Sequence, residues 1–152
     1  MHAKNRDLDF FYTNADQFFN KRDELVAIIA GDEPDVIMIT EVIPKNQVNP
    51  IPLALLHIEG YQIELNFDPS KENLGRSGIR GVAIYTKSEL MVNKIDLNVK
   101  GLFEDIWLVM KCGTKTLLVG CVYRSPKSDS NTDSSFESAI DTSNLLRKGC
   151  TT

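Results

Sequence analysis

The sequence predicts an α/β fold: a mixed sheet with flanking helices. Two patterns carry that expectation. Near the N-terminus an apolar run, a helical stretch and a second apolar run follow one another, the order of a strand–helix–strand unit. From Tyr61 onward, short apolar or alternating runs are joined by turns and carry few helical signals, as antiparallel strands do.

Each element has its own signal. Residues 10–13 form the first strand. Asn20-Lys21-Arg22-Asp23 offers an Asn cap with an acidic residue three positions on, so a helix is expected to start there. Leu25, Ile28 and Ile29 recur at helical spacing, and Gly31 with Pro34 supplies a stop. Residues 36–39 are continuously apolar between polar neighbours, the look of a strand buried on both faces. Residues 44–52 carry three prolines and read as loop, followed by a short helical turn over 53–58. Residues 61–67 alternate and read as a strand. Residues 68–80 form a polar loop, and 82–85 another buried strand. Residues 94–99 alternate weakly. Residues 106–111, Gly113-Thr114 and 116–123 read together as a hairpin with an apolar return strand. After Pro126 the composition turns to Ser, Asp and Asn. The chain therefore divides into a partial domain over 8–126 and a polar linker and tail over 127–152. Phe136, Ile140 and Leu145 there suit one face of a short helix.

Composition narrows the function. A chain of 152 residues is one domain or a piece of one. Its net charge of −4 argues against a broad basic surface for gripping phosphate backbones. A nuclease remains open, because bound metal supplies positive charge locally. Cys112, Cys121 and Cys150 lack metal-ligand spacing, and their odd number fits a reducing, intracellular compartment. The N-terminus is polar and reads as no signal peptide. No apolar stretch approaches the roughly 18–20 residues of a membrane span, so no membrane partner is expected.

The chemistry is expected where two strands end. Asn14 closes the first apolar run and Glu41 the second. A right-handed crossover would set them side by side at the carboxyl edge of one sheet, where α/β folds bind ligands. An amide and a carboxylate together suit a hard cation such as Mg²⁺. Plainer readings stand beside this one. Asn14 is also a residue that satisfies loop backbone, Glu41 an exposed carboxylate, and Tyr123 a half-buried strand aromatic. Arg76 and Arg80, in a glycine-bearing loop, are candidates to touch a DNA backbone, though such arginines are usually solvated surface; His57 reads as packing or surface.

A longer series of motifs adds to this. Tyr12-Thr13-Asn14-Ala15, the helix with Lys21 and Asp23-Glu24-Leu25, Pro34-Asp35-Val36-Ile37 and Ile39-Thr40-Glu41 come first. Gly81-Val82-Ala83-Ile84-Tyr85 and Val122-Tyr123-Arg124-Ser125-Pro126 follow in order. Together they resemble the endonuclease/exonuclease/phosphatase superfamily, over roughly residues 8–145. The wording looks most like the endonuclease that precedes a reverse transcriptase in non-LTR retrotransposon proteins. The resemblance implies the N-terminal half of a DNase I-like four-layer α/β sandwich. It implies that Asn14 positions the scissile phosphate and its water, that Glu41, with Asn14, holds Mg²⁺, and that Tyr123 contacts the phosphate. DNA is the implied partner and the nucleus the implied location; no small-molecule partner is expected. A metal would stabilise charge on the phosphate and the leaving oxygen.

Two motifs of that family are missing from these 152 residues. One is Gly-Asp-Phe-Asn and the other is Ser-Asp-His. Ser128-Asp129-Ser130 lacks the histidine, and Asp9-Phe10 lacks its flanking residues. The expectation is a retroelement-type endonuclease fragment without turnover of its own, because catalytic groups that act as a unit fail together. The alternative is a non-catalytic remnant that binds protein or nucleic acid. One sheet without its partner sheet would also leave an apolar face open to self-association.

Overall fold

Strands β1 (Phe10–Asn14) and β2 (Val36–Thr40) are parallel neighbours, joined through helix α1 (Phe18–Asp32). The computed structural model describes residues 7–16, 18–97, 104–125 and 137. A short helix α2 (Leu53–Leu56) precedes β3 (Tyr61–Leu65), and a single 3₁₀ turn (Leu74–Arg76) precedes β4 (Val82–Lys87). These strands form one sheet in the order β1-β2-β4-β3, with β4 antiparallel to both of its neighbours. Then β5 (Val92–Ile95), β6 (Glu104–Cys112) and β7 (Lys115–Tyr123) form a second, antiparallel sheet in sequence order. The expected linker over 127–135 lies outside the described residues, as does the expected helix over 136–146 apart from residue 137. No described helix is long and apolar enough to cross a membrane.

The continuously apolar strands are covered on both faces, as their composition requires. Ile37 and Ile39 of β2, with Ala83 and Tyr85 of β4, pack against Phe18, Leu25 and Ile29 of α1 and against Leu56 and Ile58. The alternate residues Val36, Val82 and Ile84 face Ile106, Leu108 and Met110 of β6 and Val119 and Cys121 of β7. The period of two along each strand thus divides one apolar run between two cores.

The second core corrects the expectation of a single sheet with an open face. The hairpin β6–β7 does not extend the first sheet; it folds across it. Alternation marks a strand but does not say which sheet it joins. Coverage still stops short at one side, where three strands face four. Phe10 and Tyr12, on the second-sheet side of β1, remain 47% and 57% exposed. β7 is fully covered on one face only. Val119 and Cys121 are buried, but Leu118 and Val122 on its outer face are only half-buried. The Trp107 ring lies over Gly120 there, so close that a Cβ would meet the ring at 2.3 Å.

Helix α1 is longer than its capping signals predict. It starts at Phe18, two residues before the expected cap Asn20, because Phe18 shares the buried face with Leu25 and Ile29. Gly31 lies inside its last turn. Glu33 takes the left-handed conformation that ends it, with φ 45°, and its N–H donates to the Ile29 carbonyl at 2.8 Å. Asp35 then fastens the next strand. It is fully buried, accepts the Asp9 N–H at 2.9 Å and faces Lys87 Nζ at 3.5 Å.

If the second sheet truly shares a core with the first, Leu108→Ala should cost about 3 kcal/mol, within the ~2–5 kcal/mol usual for buried leucines. Urea unfolding measures this, and a loss below roughly 1 kcal/mol would mean that the two sheets do not pack together.

Candidate active site at the sheet edge

One edge of the sandwich collects several chain ends. β1 and β2 run toward it, β4 and β6 start from it, and β7 reaches it. Asn14 pairs with Thr40 in register, and Glu41 is the next residue along. The first two candidate residues therefore end adjacent strands at the same edge.

Glu41 leaves β2 in the left-handed region, with φ 55°, where a residue with a Cβ is uncommon. The backbone just after it is held by the entry to β4. The Val42 N–H donates to the Gly81 carbonyl at 3.2 Å and the Ile43 N–H to the Arg80 carbonyl at 2.7 Å. Gly81 has φ 79°, and a Cβ there would meet Ile43 and Phe67 at 2.9 Å, so glycine is needed.

Both carboxylate oxygens of Glu41 are engaged. The Tyr123 hydroxyl donates to Oε1 at 2.8 Å, and Arg80 Nη2 lies 3.3 Å from Oε2. The same Nη2 lies 3.4 Å from Oδ1 of Asp16, and Arg80 Nε donates to the Ile43 carbonyl at 3.4 Å. The Arg80 and Glu41 side chains are only 14% and 15% exposed. Arg80 is therefore not the solvated loop residue its sequence context predicts. Asn14 Oδ1 accepts the Asp16 N–H at 3.1 Å. Asn14, Asp16, Arg80, Glu41 and Tyr123 thus form one polar chain across the edge.

A second carboxylate supports Arg80 from behind. Glu104, the first residue of β6, accepts the Arg80 N–H at 3.0 Å and the Gly81 N–H at 2.9 Å. Asn66 Nδ2 donates to it at 3.2 Å, while Asn66 Oδ1 takes the Val82 N–H at 2.7 Å. These contacts tie the two sheets together beside the site. A cleft of about 600 Å³ opens here, lined by Asn66, Ser77, Arg80, Glu104, Tyr123 and Ser125.

Sequence reasoning missed Asp16, Asn66 and Glu104, and nothing in their spacing marks them. Arg76 and His57 are exposed, in keeping with surface roles. Among the described residues, no three His, Cys, Asp or Glu side chains are grouped to hold a metal ion.

Burial, followed by the hydrogen bond to Glu41 and that carboxylate's charge, pushes the Tyr123 hydroxyl up to about 12, with Arg80 opposing. The folded chain therefore keeps this proton after the unfolded chain has lost it. The stabilisation is complete below roughly pH 10, the ordinary tyrosine value, and is lost as pH rises through about 12. Denaturant titrations between those limits should show stability falling faster for the native sequence than for Tyr123→Phe; identical slopes would mean that Tyr123 is not so held.

No family model and no curated protein matches the chain. Solved structures do. A truncated Caenorhabditis elegans TDP2 superposes with a TM-score of 0.63 at 13% identity, over 95% of this chain and 57% of that one. A D. rerio TDP2 humanized by 14 mutations gives 0.56 at 13% identity, over 93% and 58%. D. rerio TDP2 complexed with a single-strand DNA product gives 0.59 at 14% identity, over 88% and 52%. The chain spans less than two thirds of the length of each. At such identities the likeness shows the fold: these residues build part of a DNase I-like α/β sandwich.

Proposed function

We propose that this chain is the N-terminal part of a DNA-cleaving endonuclease of retroelement type, and that these 152 residues alone do not turn over. One observation carries the reading. In a DNase I-like fold, Glu41 after β2 hydrogen-bonds Tyr123 at the end of β7, on the edge where Asn14 ends β1. The three residues named by the family resemblance thus share one edge. A solved neighbour holding a single-strand DNA product supports nucleic acid as the substrate class. In this reading Asn14 orients the phosphate, and Tyr123 contacts it by turning its single hydroxyl hydrogen from Glu41 to a phosphate oxygen. Neither Gly-Asp-Phe-Asn nor Ser-Asp-His, the motifs that carry the family's general base and histidine, occurs in these 152 residues, which is why turnover is not expected.

Mg²⁺ is the cofactor the resemblance implies. The donor set has the right hardness, since Glu41, Asn14 and Asp16 all offer oxygen. The arrangement does not fit. Both Glu41 oxygens are taken, one by a guanidinium, and the Asn14 oxygen is turned to backbone. The same occupancy favours the second reading, a non-catalytic module that binds DNA or protein. The bare strip at Phe10 and Tyr12, beside the edge strand β7, is where self-association would occur.

Two assays test the proposal. Supercoiled plasmid incubated with the purified chain in Mg²⁺ should not be nicked above background; nicking abolished by Glu41→Ala would refute the claim of inactivity. A labelled single-stranded oligonucleotide should bind within the range of roughly 10⁻⁴ to 10⁻⁶ M typical of non-specific contacts. Asn14→Ala should weaken that binding several-fold. Absence of binding throughout that range would remove the nucleic-acid reading.

A further inference from the structure

We infer that Arg80 is a built-in counter-cation for Glu41, and that a divalent metal must compete with its guanidinium for the same carboxylate oxygen. This rests on the nuclease reading of the site, but it concerns an interaction within the chain.

Three features support it. The first is position. Arg80 Nη2 bridges Glu41 Oε2 at 3.3 Å and Asp16 Oδ1 at 3.4 Å, the place between two carboxylates that a cation would take. Mg²⁺ binds oxygen at about 2.1 Å, so an ion on Glu41 Oε2 would lie no more than about 5.4 Å from Nη2. Two positive groups at that separation repel, and here they would do so in a partly desolvated site.

The second feature is how firmly Arg80 is held. Its N–H donates to Glu104, its carbonyl accepts from Ile43, and its Nε donates to the Ile43 carbonyl. Its side chain is 14% exposed, so swinging it into water would break a largely buried pair. The third feature is the other oxygen. Tyr123 donates to Oε1 at 2.8 Å, and a phenol keeps that proton at neutral pH. An incoming ion meets a hydrogen bond at one oxygen of Glu41 and a guanidinium at the other.

The inference predicts that removing the guanidinium charge creates metal affinity. Mn²⁺ serves as the probe, followed by the loss of the free-ion signal in electron paramagnetic resonance, with the whole 152-residue chain. The native sequence should show no Glu41-dependent site. Arg80→Gln should bind one Mn²⁺ at least tenfold more tightly, and Arg80→Gln combined with Glu41→Gln should lose that gain. Equal binding by the native chain and Arg80→Gln overturns the inference, as does a native site that Glu41→Gln abolishes. If circular dichroism shows Arg80→Gln unfolded, Arg80→Ala is judged by the same criterion, and the native chain's own titration still decides. A native Glu41-dependent site would overturn the competition while leaving the nuclease reading intact. Failure to bind the oligonucleotide would remove that reading without touching the ion pair.

Discussion

Everything in this molecule follows from the need to cover β2 and β4 twice. Their residues are apolar at nearly every position, so each strand carries a core on both sides. Helix α1 and the segment around Leu56 and Ile58 cover one face, and the β5–β6–β7 sheet covers the other. The Tyr85 hydroxyl, buried in the first core, donates to the Leu56 carbonyl at 2.6 Å, so its polar end is satisfied as well.

The candidate site is a by-product of that closure. Laying the second sheet over the first brings the start of β6 and the end of β7 to the edge where β1 and β2 finish. Glu104 then reaches the backbone of Arg80 and Gly81, and Tyr123 reaches Glu41. The groups that tie the sheets together at this edge also position the site. Perturbing Glu104 or Asn66 should therefore disturb packing and site geometry together.

The N-terminal unit was legible because its signals are local. Apolar runs at Val36 and Val82 and the spacing of Leu25 and Ile29 report burial directly. The two-residue turn after Cys112 is equally local, and Gly113 takes the left-handed φ of 61° that the turn requires. What remained hidden was long-range. Period-two alternation cannot say that β6 and β7 leave the first sheet, and cap residues cannot outweigh the buried Phe18 in setting where α1 begins. The placement of Asn14 beside the strand of Glu41 was readable from crossover geometry, while Tyr123 entered only through family resemblance. Arg80 was misjudged because an arginine between loop glycines carries no mark of burial. Its partners Asp16 and Glu41 are distant in sequence, and Glu104 lies across the other sheet.

These residues cover both faces of β2 and β4 by themselves. Native-state amide hydrogen exchange tests this coverage most directly. The amides of Ile37, Ile39 and Ile84, within the β1–β2–β4 ladder, should exchange only through global unfolding, with a free energy matching the denaturant value. Exchange of those amides at rates close to an unstructured chain, with helical signal retained, would contradict it and show that the second sheet does not close the core.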